Sequence, residues 1–233
     1  MNKNIIDNII LGRDSVRSFI DKEVSQDIIF DILRIASKSP SGNNIQPWNV
    51  YVVKGDKKDE IIQAVCRVYD DICNNANLAN EYQELFDYYP QKWFSPYIER
   101  RRANGWGLYN LLGIQKGEND KICLQQRKNY EFFGAPIGLF FTIHKDLGVG
   151  SKMDIAMFMQ NIMLLARSRR LETCAQAAWN RFHKIVLPLL GASENEILVS
   201  AMALGYKDDK ALINSFKTTR EEVNIFTKFL GFN

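Results

Sequence analysis

Near its start the chain reads Arg13-Asp14-Ser15-Val16-Arg17, directly after a short apolar segment that ends at Gly12. Side chains alternate in an extended segment, so Arg13, Ser15 and Arg17 are expected to point the same way. Two guanidinium groups then flank a hydroxyl. Bidentate arginine contacts match the oxygens of a phosphate in charge and in geometry. The segment therefore predicts a phosphate site, with a solvated edge as the alternative that such a pattern more often represents.

A second informative stretch follows the next predicted helix and reads Pro40-Ser41-Gly42-Asn43-Asn44-Ile45-Gln46-Pro47-Trp48. It is rich in turn-forming and amide residues, and it leads into a predicted strand over residues 48–53. Its amides can hydrogen-bond to the polar edge of a ring. Taken alone, an asparagine-rich loop of this kind is more often just a loop.

In this order and spacing, the two stretches resemble the start of the FMN-dependent nitroreductase family, and the rest of the chain resembles its nitrobenzoate-reductase-like subgroup. The similar blocks are residues 129–136, 154–165, 171–179, 203–206 and 214–220. The resemblance implies an α+β fold (α/β-type) of the nitroreductase kind, with a central, mostly antiparallel sheet flanked by helices. It also implies a single domain over residues 1–233 and an intertwined homodimer with two shared flavin sites.

The resemblance further implies which residues bind FMN. Arg13 and Arg220 are expected at the phosphate, with Asp14 and Ser15 beside them. Arg17 is expected to point toward the ribityl chain and the N1/O2 edge of the ring. A fixed cation at that edge stabilises the negative charge that reduction places there, and so raises the reduction potential of the flavin.

Other implied contacts involve backbone and amide groups. Asn129 is expected at the ribityl chain or the pyrimidine edge. The segment Ala175-Gln176-Ala177-Ala178 is expected to lie along the ring, with one N–H toward N5 and another toward O4. Many relatives carry glycine there, so the donor to N5 stays open. The loop expected to contact the flavin bound mainly by the other subunit comprises Pro40, Ser41, Gly42, Asn43, Asn44 and Gln46.

The implied activity is that of an FMN-dependent NAD(P)H oxidoreductase. It takes electrons from NADH or NADPH and passes them to nitroaromatics, quinones or similar small molecules by a ping-pong mechanism. No catalytic side chain is implied, because the flavin carries the redox chemistry. The alternatives are an enone or dehalogenating flavin reductase, and a non-catalytic flavin-binding protein. The physiological acceptor and the choice between NADH and NADPH stay open.

Residues 73–127 differ from the rest of the chain in their many aromatic side chains. One interpretation is an excursion that roofs the flavin and forms part of the substrate pocket, because aromatic walls suit flat ligands. The other is a pair of amphipathic helices whose aromatic residues anchor them to the body of the protein. The run Arg100-Arg101-Arg102 is similarly open, between a receptor for an aromatic carboxylate and a solvated face.

Composition excludes several other classes. The 233 residues carry a net charge of +3, which gives no electrostatic footprint for nucleic acid. No apolar run reaches the length of a membrane span, and the first residues lack a signal peptide, so a soluble cytoplasmic protein is expected.

His144 and His183 stand apart without nearby cysteine or carboxylate ligands, so no metal centre is expected. The four cysteines form no C-x-x-C pair and are expected to be free thiols.

Hydrophobic periodicity predicts several elements. Helices are expected from residue 5 with Gly12 as the C-terminal cap, from the N-cap Ser25 to a point before Pro40, after an Asp56-x-x-Asp59 capping arrangement, over residues 154–169, and around residues 181–186 before Pro188. Strands are expected over residues 48–53, 137–143 and 197–204, the last ending before Gly205. The helix over residues 154–169 is apolar over much of its circumference, which is typical of a central or interface helix.

Overall fold

The computed structural model describes residues 4–232. Its helices are α1 (Ile5–Gly12), α2 (Gln26–Ala36), α3 (Gly55–Asn74), α4 (Tyr97–Leu111), α5 (Asn119–Arg127), α6 (Val149–Ser168), α7 (His183–Leu190) and α8 (Val223–Phe226). Its strands are β1 (Phe19–Ile20), β2 (Asn49–Val53), β3 (Ile137–His144), β4 (Glu172–Gln176) and β5 (Glu196–Lys207). Short 3-10 turns cover Gly42–Asn44, Ala76–Glu81, Lys128–Gly134, Ala177–Phe182 and Leu212–Ser215.

The strands form one antiparallel sheet in the order β1-β5-β3-β2, with β4 also paired to β5. Strand β5 is the longest and pairs with β3 along one edge. On its other edge, residues 201–205 pair with β4 and residues 206–207 pair with β1. The end of β4 therefore lies at the edge of the sheet, opposite the middle of β5, where the chain turns into the Ala177–Phe182 segment.

Helices cover both faces of this sheet because side chains of β3 alternate between two apolar clusters. Phe140 packs on the face covered by α3 and α7. Leu139 and Phe141 pack on the opposite face, covered by α2 and α6. The predicted α+β architecture, an antiparallel sheet flanked by helices, is confirmed. None of the helices within residues 4–232 is long and apolar enough to cross a membrane.

Some predicted element boundaries are correct and others need correction. Ser25 caps α2, since its hydroxyl accepts from the N–H of Ile28. Helix α3 instead begins after Lys54 with no side-chain cap, so the predicted Asp56-x-x-Asp59 capping is wrong. Helix α7 continues through Pro188 to Leu190, and α6 begins five residues before Asp154.

Strand β5 continues through Gly205 rather than ending before it. A Cβ atom at this position would lie 2.6 Å from Cδ of Pro136. Glycine is therefore needed for close packing within the strand, and here it does not mark the strand's end.

Cys73, at the end of α3, forms a disulfide with Cys123 in α5, 50 residues later. The prediction of four free thiols is therefore wrong for this pair, and Cys66 and Cys174 are the free, buried cysteines. The bridge depends on the packing of α3 against α5, where Arg127 Nε donates to Asp70 at 2.8 Å. Such a pairing leaves no signature in local cysteine spacing.

The aromatic side chains of residues 73–127 divide into two groups. Tyr82 packs on Phe182, with ring centroids 5.6 Å apart, and Phe86 packs against the α2 and α6 side of the core. Tyr88 and Tyr89 are instead exposed and contact each other edge to face, with centroids 4.7 Å apart. The first group anchors the excursion to the body, and the second is free to face a ligand.

Candidate functional site

Residues 13–17 lie alongside β4. Ser15 forms an isolated parallel bridge with Thr173, and the N–H of Val16 donates to the carbonyl oxygen of Thr173 at 3.0 Å. Val16 is only 2% exposed, so Ser15 and Arg17, on either side of it, face away from the core. The extended conformation predicted for this segment is confirmed.

Asn214 fixes the backbone at Arg17. The N–H of Arg17 donates to Asn214 Oδ1 at 2.8 Å, and Asn214 Nδ2 donates to the carbonyl oxygens of Ser18 and Asp208 at 2.8 and 2.9 Å. Asn214 is buried, so water does not compete for these bonds. Motif spacing does not indicate this role, because 197 positions separate Arg17 from Asn214.

Cys174 lies in β4 next to the arginine segment. Burial raises the pKa of its thiol to about 11, and the positive charges of Arg17 and Arg13 oppose that rise. Cys174 directly precedes Ala175, so both positive charges act close to the end of β4. A thiol with this pKa stays neutral near pH 7, so Cys174 serves as a small apolar filler.

The two basic residues of the C-terminal segment 214–220, Lys217 and Arg220, have different hydrogen-bond and ion-pair partners. Lys217 forms an ion pair with Asp14, which joins this segment to residues 13–17. Arg220, like Lys217, lines a cavity of about 740 Å³ beside α4, and it donates to Thr218 Oγ1 and the carbonyl oxygen of Thr219, both at 2.8 Å. Lys217 is thus a cation at the segment that motif reasoning did not single out.

The run Arg100-Arg101-Arg102 lies on the exposed surface of α4. Arg100 Nε donates to Glu221 at 3.0 Å, and the guanidinium of Arg101 lies 4.8 Å from the centroid of the Trp93 ring. With two of its three charges already partnered at the surface, the run favours the solvated-face interpretation over an anion receptor.

A cavity of about 340 Å³ brings several predicted flavin contacts together. Asn129 lies on one wall, and Gln176 Nε2 donates to the Asn129 carbonyl oxygen at 2.5 Å. The excursion contributes Tyr88 and Tyr89. The remaining lining residues are Glu84, Tyr130, Ala175, Ala177, Ala178 and Arg181. The structure therefore joins Asn129 to residues 175–178 and sets aromatic side chains of the excursion beside them.

The turn that follows β4 carries buried polar atoms without hydrogen-bond partners. They are Oε1 of Gln176, Nε1 of Trp179, both amide atoms of Asn180, and Nε of Arg181. A buried polar group left unpaired costs about 1–3 kcal/mol. Gln176 and Arg181 also line the 340 Å³ cavity, so their unpaired atoms are available to a ligand there, whereas Trp179 packs in the core against Phe132 and Phe140. A ring with donors and acceptors along its edge, such as that of FMN, fits this set. Sequence reasoning missed Asn180 and Arg181.

Comparison with known proteins identifies the family. The model described as "Nitroreductase family" matches residues 10–206. This chain belongs to the nitroreductase family. It is 38% identical over 227 residues to a 4-nitrobenzoate reductase of Nocardioides sp. (strain LMS-CY), a match that covers 96% of this chain and 89% of that protein. A nitrobenzene nitroreductase of Ectopseudomonas oleovorans is 33% identical over 228 residues, with 97% and 96% covered.

Solved structures agree with this family. The FMN- and NADPH-dependent nitroreductase NfnB from Sphigopyxis sp. strain HMH superimposes with a TM-score of 0.91 at 30% identity. The match covers 98% of this chain and 100% of that one. The predicted nitroreductase-like fold is confirmed.

In this nitroreductase the amide-rich loop lies apart from the 340 Å³ cavity. The N–H of Gly42 donates to Asp154 of α6 at 3.3 Å, and Asn43, Asn44 and Gln46 adopt left-handed φ angles of 50, 57 and 48°. Residues 42–46 are exposed. Within residues 4–232 the loop does not line the cavity with Asn129 and residues 175–178. Its expected contact with the flavin of the other subunit stays a prediction.

Proposed function

We propose that this nitroreductase is an FMN-dependent oxidoreductase that uses NADPH or NADH to reduce nitroaromatics and related acceptors such as quinones. The observation that carries the proposal is the cluster of unpaired, buried polar atoms from Gln176 to Arg181, beside the cavity that Asn129 and residues 175–178 line. Solved NfnB relatives are FMN- and NADPH-dependent, and curated relatives are nitrobenzoate and nitrobenzene reductases.

The chain offers a consistent set of groups for FMN. Arg13, Ser15 and Lys217 supply cations and a hydroxyl for the phosphate, and Arg220 joins them if the C-terminal segment turns inward. The N–H groups of residues 175–178 supply donors for the ring edge, with Asn129 beside the ribityl chain. When bound, FMN supplies the two-electron redox chemistry that the side chains lack.

Arg17 has a separate role in this proposal. Its backbone is held by Asn214 and its guanidinium by the carbonyl oxygen of Ser15, so the positive charge is fixed before any ligand arrives. Preorganised charge is more effective than charge that must reorient, because no reorganisation accompanies the reaction. Arg17 therefore tunes the reduction potential while the other cations hold the phosphate.

We also infer a homodimer, since the described surface is unusually apolar at both ends of the chain. The exposed apolar residues include Ile5, Ile6, Ile10 and Leu11 in α1 and Ile225, Phe226, Phe229 and Leu230 near the C-terminus, and Met153 and Met157 in α6 add to them. Large exposed apolar patches mark interfaces. A second copy would cover these residues and bring its exposed loop of residues 40–46 toward the flavin site.

Turnover tests this function directly. Protein loaded with FMN should lose its oxidised-flavin absorbance when NADPH or NADH is added without oxygen, and regain it when a nitroarene is added. Steady-state rates should give parallel double-reciprocal lines, because one site serves donor and acceptor in turn. Bound FMN that no nicotinamide bleaches would instead identify a non-catalytic flavin-binding protein.

A further inference from the structure

Arg181 lies at the junction of two adjoining cavities. One is the 340 Å³ cavity with Asn129 and residues 175–178, and the other, of about 400 Å³, is formed mainly by residues 79–91 of the excursion. Both are lined by Arg181 together with Glu84, Tyr88 and Tyr89. The guanidinium therefore lies beside the proposed ring-binding segment and also at the aromatic wall.

Arg181 carries a positive charge that the protein leaves unbalanced. Its Nε is buried and has no hydrogen-bond partner, and its guanidinium lies 5.2 Å from the centroid of the Phe182 ring. Within residues 4–232 Arg181 forms no ion pair, not even with Glu84, which lies on the wall that the two cavities share. Arg181 is half-buried, and a partly desolvated guanidinium without an ion-pair partner is suited to bind an anion in the cavity.

The charge of Arg181 also acts on its buried neighbours. Burial raises the pKa of Tyr69 to about 12 and raises the pKa of Tyr130 further, and in both cases the positive charge of Arg181 opposes the rise. The positive charge of Arg181 thus acts on this side of the cavity and is not neutralised by a counter-ion at the surface.

We propose that Arg181 binds the carboxylate of an aromatic acceptor, so that the enzyme favours nitroarenes with a carboxylate over neutral ones. The planar guanidinium matches a carboxylate in a bidentate pair, and Tyr88 and Tyr89, whose rings meet edge to face, offer aromatic contacts beside it. The inference rests on the proposed function. Relatives include both a nitrobenzoate and a nitrobenzene reductase, so family membership alone does not decide between the two classes.

The test compares charged and neutral acceptors of the same shape. We expect unaltered protein to have a higher kcat/KM for 4-nitrobenzoate than for 4-nitrobenzamide. Arg181→Gln should lower the ratio of the two values about ten- to a hundredfold, since a charge-assisted hydrogen bond is lost. Arg181→Lys, which keeps the charge, should retain part of the preference. The control Arg101→Gln removes a positive charge from the excursion at a position outside both cavities. Its ratio of the two kcat/KM values should equal that of the unaltered protein.

A binding measurement gives a readout that does not depend on turnover. By titration calorimetry, FMN-loaded protein should bind benzoate more tightly than benzamide, and Arg181→Gln should abolish that difference. The proposal would be overturned if Arg181→Gln lowered kcat/KM equally for both acceptors, or if it raised the KM for NADPH as much as the KM for 4-nitrobenzoate. In the latter case Arg181 binds the phosphate of the donor.

The two proposals fail in different ways. Protein that binds no FMN contradicts the proposed function itself. Protein that binds FMN and reduces nitrobenzene, but has the same acceptor preference with and without Arg181, contradicts only the carboxylate role. If Arg181→Gln does not fold, the 4-nitrobenzoate preference of unaltered protein and of Arg181→Lys still decides the question.

Discussion

Gln176 donates from Nε2 to the carbonyl oxygen of Asn129 at 2.5 Å, and this bond joins two segments that are 47 positions apart in the chain. Its Oε1, on the same buried side chain, has no partner. One half of the amide therefore holds the Lys128–Gly134 turn against the end of β4, and the other half remains available to a ligand. The two expected flavin contacts, Asn129 and residues 175–178, are coupled through this one side chain.

Gln176→Leu should weaken FMN binding about two- to tenfold, because a neutral hydrogen bond contributes roughly 0.5–1.5 kcal/mol. Fluorescence titration of flavin-free protein measures the change. Gln63→Leu is the matched control, since Gln63 is exposed on α3 and does not line the cavity. If both variants bind FMN like the unaltered protein, Gln176 serves only to pack the turn.

Arg17→Met should lower the reduction potential of bound FMN by about 30–60 mV. The substitution removes a fixed cation worth roughly 1.5–3 kcal/mol, and 30 mV corresponds to about 1.4 kcal/mol for two electrons. Spectroelectrochemical titration gives the potential. Arg67→Met, at an exposed position on α3, controls for loss of one positive charge from the protein. An unchanged potential in Arg17→Met would leave Arg17 with a positioning role only.

Arg220→Ala should weaken FMN affinity about ten- to a hundredfold and barely change the potential, because the lost contact is to the phosphate and not to the ring. Equilibrium dialysis of this variant against Arg102→Ala, an exposed charge on α4, separates the contact from general electrostatics. Both residues line the α4 cavity and Lys217 also contacts Asp14, so an effect of Lys217→Ala without one of Arg220→Ala would assign the phosphate to Lys217 instead.

Thiol titration should give almost no reaction in the native protein. Burial raises the pKa of both free thiols, Cys66 and Cys174, to about 11, and the other two cysteines are bonded. We expect two reactive thiols after unfolding without reductant and four after reduction. A bridge that closes a loop of 50 residues stabilises by about 4 kcal/mol, so reduction should lower the denaturant midpoint. Four thiols in unreduced protein would show that the bridge does not form.

Much of the fold follows from local sequence signals. Ser25 caps α2 and strand β3 is continuously apolar, so both elements could be predicted from neighbouring residues. Strands β1 and β4 could not be predicted, because both are defined by pairing with β5 and not by their own composition. The Cys73–Cys123 bridge likewise depends on helix packing between distant segments.

The site divides in the same way. The phosphate segment and residues 175–178 carry recognisable motifs, so the residues expected near FMN were available from the sequence. Contacts between distant segments define the roles of Asn214 and Lys217, and the lack of a hydrogen-bond partner for Nε defines the role of Arg181. Neither feature leaves a pattern in the local sequence. Charge alone was misleading, since Arg100-Arg101-Arg102 is more conspicuous in the sequence than the single Arg181.

The central claim is that this chain binds FMN between residues 13–17 and the end of β4. Titration of flavin-free protein with FMN, followed by absorbance and equilibrium dialysis, tests it most directly. We expect saturation at about one FMN per chain, with FAD bound more weakly because the expected set of Arg13, Ser15, Arg17 and Arg220 matches one phosphate and one ribityl chain. Well-folded protein that retains no FMN would contradict the claim.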